Sequence, residues 1–220
     1  MTDTLTTLQI LALLVLAAIL FFVGRHLPFA ALKEDKSRQH LVFGATALTF
    51  FMWIFRAGIF QGLDVHFLWL TSLTLILGFR YALFAGLAAL LGITAVGNES
   101  WQMLGVNGLI GVVMPVSVSY LIYLVSFHKI PRHLFVYIFV CAFFPGAIVI
   151  ALKLALLGSY YAIDGIYSWD TVIDNYMLLI PLILFPEGFI NGVTMTLLVI
   201  YKPEWVYTFH DKFYLDPDKK

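Results

Sequence analysis

The chain has 220 residues, of which 61% are hydrophobic and only 12% charged, with a mean hydropathy of +0.93. Soluble domains carry about a quarter charged residues, so this composition excludes an ordinary water-soluble fold and makes the lipid bilayer the solvent. Thirteen basic and thirteen acidic residues cancel, leaving no net positive charge with which to hold nucleic acid.

A membrane-crossing helix needs roughly 20 mostly apolar residues. On that measure the chain reads as all-α, a polytopic bundle of about seven transmembrane helices, over 8–24, 41–59, 66–78, 82–97, 104–126, 134–157 and 174–200. The first run is a retained span rather than a cleavable signal, because Met1 to Thr7 holds Asp3 and no Lys or Arg. The third and fourth spans are short and are separated only by a turn at Gly78-Phe79-Arg80. The longest outer loop, 158–173, is aromatic and acidic (Tyr160, Tyr161, Tyr167, Trp169). Pro203 stops the last helix, dividing a bundle at 1–201 from a cytoplasmic tail at 202–220. Cys141, the sole cysteine, sits in an apolar run and excludes an intrachain disulfide or a CxxC site.

Cytoplasmic loops are enriched in Lys and Arg. With the N-terminus outside and the C-terminus inside, Arg25, Lys33, Lys36, Arg38, Arg80, Lys129, Arg132, Lys202, Lys212, Lys219 and Lys220 all fall on the inner side. Only Arg56 and Lys153 do not, and an even number of spans would reverse the tail. The expectation is a multi-pass protein of a bacterial-type inner membrane, N-out and C-in.

Polar residues within the spans are the informative ones, because burying them in lipid is expensive. Glu187, in Phe185-Pro186-Glu187-Gly188 of the last span, should face the bundle interior. It could hold a neighbouring helix through hydrogen bonds, or serve as a ligand, proton or coupling site. Asn107 and Asn191 are its neutral polar company. Arg56 can snorkel to the outer surface, the commoner behaviour for such a residue, or pair with Asp64. Lys153, about one turn from the end of its span, invites the same snorkelling reading. His66 opens the third span in Gly62-Leu63-Asp64-Val65-His66. Neutral imidazole is the commonest protein metal ligand, though a lone His is more often an interface hydrogen-bonder. The remaining histidines fall on the inner side, and no HExxH pair occurs.

Several of these motifs recur in one order. Gly62, His66, the run Leu73 to Leu77, Gly78-Phe79-Arg80-Tyr81-Ala82, Leu104-Gly105-Val106-Asn107, Glu187-Gly188 and Lys202-Pro203-Glu204 resemble the cobalt/nickel substrate-binding membrane subunits of energy-coupling-factor transporters. The resemblance implies a bundle of six or seven helices that captures a divalent transition metal (nickel, cobalt, copper or zinc) at its extracellular face, as substrate rather than resident cofactor. It further implies a metal held by the N-terminal amine of Met1, a His at position two and His66. This chain carries Thr2 there, so one imidazole is missing unless Asp3, Asp64 or Glu99 substitutes, and oxygen donors favour harder metals than a square-planar nickel site does. The expected metal residues are therefore His66, Asp64 and Met1, with Asn107, Glu187 and Arg56 as substrate-binding or buried polar groups.

The absence of a GxxxxGK[ST] motif means that transport would require a coupling transmembrane subunit and separate ABC ATPases. The alternative is a non-transporting metal-handling or assembly factor on the same scaffold. An enzyme is not expected, since Ser117 and Ser119 have no mid-span His to act as base.

Overall fold

The protein is described by a computed structural model covering residues 5–27 and 29–214; Met1, Thr2 and Asp3 lie outside these described residues. The architecture is all-α. The helices are α1 (Thr7–Gly24), α2 (Phe29–Glu34), α3 (Lys36–Ile54), α4 (Leu70–Leu77), α5 (Phe79–Ala95), α6 (Trp101–Lys129), α7 (Leu134–Ile163), α8 (Trp169–Asn175), α9 (Ile180–Tyr201) and α10 (Asp211–Tyr214). By length and composition α1, α6, α7 and the α8–α9 stretch can each cross a bilayer, and α5 is a shorter apolar helix. Leu14, Phe22, Phe43, Leu121, Phe144, Leu182 and Ile200 stand exposed on the outer surface, as lipid-facing side chains must.

The segment read from sequence as a third span, 66–78, is helical over eight residues only, Leu70–Leu77. At 1.5 Å per residue α4 is about 12 Å long, well short of the ~30 Å hydrocarbon layer. The second span likewise ends early, at Ile54. Between them, 55–69 is non-helical chain, clipped into a narrow loop by reciprocal backbone bonds between Ala57 and Val65 (3.0 and 2.8 Å). Such backbone survives at membrane depth only inside protein, and every residue of α4 is buried.

A short buried helix leaves orphan N–H groups at its start and orphan carbonyls at its end. α9 and the chain after it supply both partners. Glu187 accepts from the N–H groups of Leu68 (2.9 Å) and Trp69 (2.8 Å), and Asn191 Oδ1 accepts from that of Ser72 (2.8 Å). At the far end the N–H groups of Tyr207 and Thr208 donate to Ile76 and Leu75 carbonyls (3.1 and 3.2 Å). Thr208 Oγ1 also donates to Leu75 O and contacts Tyr137 Oη at 2.7 Å. Trp69 takes a left-handed backbone, φ +55°, which bulky residues rarely adopt. Its indole bond to Thr194 (3.0 Å) helps hold it there.

The long helices bend around this centre. α6 widens to π-helical turns over Leu109–Val113 just before Pro115, and α7 does so over Tyr137–Phe143 just before Pro145. Proline lacks an N–H and clashes with the carbonyl four residues back, and a π turn absorbs the mismatch. Two glycines set close approaches. Gly78 turns α4 into α5 at φ +76°, where a Cβ would meet the Tyr207 ring at 2.7 Å. Gly105 lets α6 touch the backbone of α1, where a Cβ would sit 2.5 Å from Leu13 N.

Candidate functional site

One end of the bundle gathers the start of α1, the end of α3, the 55–69 loop, the start of α6 and the end of α7. Thr6 bonds Asp164 there (3.0 Å), and Gln9 reaches Met103 (3.6 Å). Just inside this end lies a small cavity of about 20 Å³, enough for one water-sized occupant. Its polar lining is Arg56, Asp64, His66, Glu99, Asn107 and Lys153, and Trp53, Leu68, Leu90 and Leu157 are among its apolar walls.

His66 is 8% exposed. Its Nδ1 lies 3.1 Å from the Phe67 carbonyl oxygen. A carbonyl can only accept, so Nδ1 carries the proton and Nε2 presents a lone pair. No hydrogen bond to Nε2 exists among the described residues. The ring leans against Trp53, centroids 5.3 Å apart, and Trp53 is itself pinned by its indole bond to Leu68 O (3.1 Å).

Arg56 does not snorkel. Its Nη1 lies 2.7 Å from Asp64 Oδ2 and 2.6 Å from Glu99 Oε1. Its Nε donates to Trp53 O at 3.1 Å. Asn107 Nδ2 steadies the other oxygen of Glu99 at 2.8 Å. The Asp64 contact has ion-pair distance without hydrogen-bond direction, which leaves Asp64 Oδ2 buried without a hydrogen bond, and Arg56 Nη2 is likewise buried without one.

Lys153 also departs from its expected snorkelling. It is 5% exposed; among the described residues it has one hydrogen bond, to Tyr176 Oη at 3.3 Å, and no carboxylate within ion-pair distance. The reason is geometric: α7 continues to Ile163, so Lys153 lies more than two turns inside its helix and cannot reach the end.

The structure therefore brings together four of the expected residues, Arg56, Asp64, His66 and Asn107, with Met1 outside the described residues. Glu187 is apart from them. It is fully buried on the start of α4 and is not part of the cavity lining. Glu99, expected as a substitute oxygen donor, and Lys153, singled out for its cost in an apolar helix but expected to snorkel, also line the cavity. No group of three or more His, Cys, Asp or Glu side chains that could hold a metal occurs among the described residues.

Residues 1–205 match the CbiM family, the cobalt uptake substrate-specific transmembrane region. The chain belongs to this family. Two solved structures share the CbiM-type fold seen here. One is a truncated transition metal transporter, with TM-score 0.71, 16% identity and coverage of 90% of this chain and 94% of that one. The other is a transition metal transporter, with TM-score 0.69, 16% identity and coverage of 88% and 86%. No curated protein matches by sequence. A CbiM protein is a multi-pass membrane component of a transport system, not an enzyme, and a metal ion is its substrate rather than a cofactor.

Proposed function

We propose that this CbiM-family chain captures a divalent transition-metal ion at the His66 end of the bundle and works with a coupling membrane subunit and ABC ATPases. The observation that carries the reading is His66: a buried imidazole with a free Nε2 lone pair beside a water-sized cavity, with carboxylate and amide oxygens in the same wall. The family resemblance implies the N-terminal amine of Met1 as a second nitrogen donor. The positive-inside rule supports placing this end outside, because Arg25, Arg38, Arg80, Lys129, Arg132 and Lys202 belong to the opposite end.

The test is elemental analysis and metal titration of the detergent-purified protein beside His66→Ala. Stoichiometric nickel, cobalt, copper or zinc that disappears with His66 is expected. Equal metal content in the two proteins would overturn the assignment.

A second reading, a non-transporting metal-handling or assembly factor, is favoured by two observations. Arg56 already occupies the carboxylates, and Thr2 stands where the family resemblance calls for His. Co-purification of the chain with a membrane complex lacking ATPases would support it over transport.

A further inference from the structure

The acidic pair beside His66 is not vacant: one guanidinium nitrogen, Arg56 Nη1, stands within 2.7 Å of an oxygen from each of Asp64 and Glu99. We propose that Arg56 is a tethered cation that holds this carboxylate pair when no ion is bound, and that a divalent metal entering the cavity displaces it. The proposal rests on the capture reading above and names the donors that make up for the missing imidazole.

Three features of the site favour displacement over a permanent structural pair. The two oxygens converge on one point, so an ion placed there needs only a small inward movement of each carboxylate to reach metal–oxygen distances of about 2.0–2.2 Å. The present occupant fits that point imperfectly, since Asp64 Oδ2 and Arg56 Nη2 are buried without a hydrogen bond, a state that is costly in a low-dielectric site. The same cavity lining also carries a nitrogen donor, because His66, more than nine-tenths buried, has no hydrogen bond to Nε2 among the described residues. Arg56 sits on the loop just after α3, with its side chain 13% exposed. It can therefore swing toward water, where its charge is cheaply solvated. Asn107 would keep Glu99 oriented during the exchange through its bond to the other oxygen.

Charge makes the exchange necessary. Arg56 and Lys153 balance Asp64 and Glu99, so the empty cavity is neutral. A divalent ion added to that set would leave two uncompensated positive charges in a poorly solvated site. Releasing Arg56 to solvent halves the excess and frees two oxygens together.

The test is isothermal titration of cobalt(II), nickel(II) and zinc(II) chloride into the full chain in detergent, comparing wild type with Arg56→Met, Arg56→Gln and Arg56→Lys. The neutral variants should bind about tenfold or more tightly than wild type, having lost the competing cation, and the charge-retaining lysine variant should not. Metal should also raise the melting temperature of Arg56→Met more than that of wild type, because it compensates the carboxylates left bare. Wild-type binding that depends on His66, with no gain in either neutral variant, would overturn the tethered cation and leave capture standing. Binding by the neutral variants alone would mean that Arg56 blocks the carboxylates without yielding to metal, and would overturn both the displacement and the capture reading. Absence of binding in all four proteins would overturn both.

Discussion

Replacing Glu187 by glutamine exchanges one oxygen for an NH₂ group, and the structure makes that exchange expensive. All three hydrogen-bond partners of the carboxylate are donors: Leu68 N–H on Oε2, and Trp69 N–H with Asn191 Nδ2 on Oε1. The amide has one accepting end. Turned its better way, it keeps Trp69 and Asn191 and points its NH₂ at the Leu68 N–H. Asn191 cannot turn to relieve the mismatch, because its Oδ1 already accepts from the N–H and Oγ of Ser72. An orphaned buried N–H costs about 1–3 kcal/mol, and each bond that changes from charged to neutral loses roughly another 1. Relief from burying a charge returns part of this, so we expect a loss of about 3 kcal/mol. At roughly 2–4 °C per kcal/mol for a chain of this size, the melting temperature should fall by about 6–12 °C. Thermal unfolding in detergent, followed by tryptophan fluorescence, measures it. Glu99→Gln is the comparison: its amide oxygen can still accept from Arg56, and the NH₂ then faces Asn107, whose side chain can turn to present its Oδ1. A Glu187→Gln melting temperature within about 2 °C of wild type would refute the view that this carboxylate fastens the start of α4.

Other expectations follow from separate parts of the molecule. Gly105→Ala puts a methyl group against the α1 backbone and should destabilise by about 1–3 kcal/mol through overpacking; an unchanged melting temperature would mean that α1 is not seated on α6 as described. Thr208→Val removes the partner of Tyr137 Oη and one donor to Leu75 O, a loss of about 1–3 kcal/mol; because Tyr137→Phe removes one side of the same contact, the two together should cost less than their sum. His128→Ala should leave metal affinity at the wild-type value, since its ring belongs to the exposed end of α6 and bonds Leu124 O at 2.7 Å; reduced affinity would point to a second site. For orientation, cysteine placed at Ser168 should react with an impermeant maleimide in intact cells. Cysteine at His210 should react only after permeabilisation, and the reverse pattern would overturn N-out/C-in.

Apolar content, the scarcity of charge and the spacing of hydrophobic runs were enough to read an all-α membrane bundle, because the bilayer imposes long apolar helices directly on the sequence. The same argument singles out Arg56, His66, Lys153 and Glu187, with Asn107 and Asn191 as neutral company, from their cost alone. It misplaced the boundaries around 55–69. A buried eight-residue helix and the extended chain that feeds it have the same composition as a crossing helix, and only partners from α9 reveal which is present. Hydropathy gives depth, not the identity of the side chains facing across a cavity, so it leaves Arg56 between snorkelling and its pair with Asp64 and makes Lys153 a snorkelling residue, which it is not.

The sequence by itself determined the solvent, the helical class and the set of polar residues that needed a reason to be buried, since each follows from the energetics of a single segment in lipid. The tertiary structure decided their pairing. Glu187 went to backbone N–H groups more than a hundred residues earlier in the chain, and Arg56 went to two carboxylates, one of them 43 positions away. Such choices depend on which helices pack side by side, and a polar group in a low-dielectric interior takes the partner that packing brings within reach.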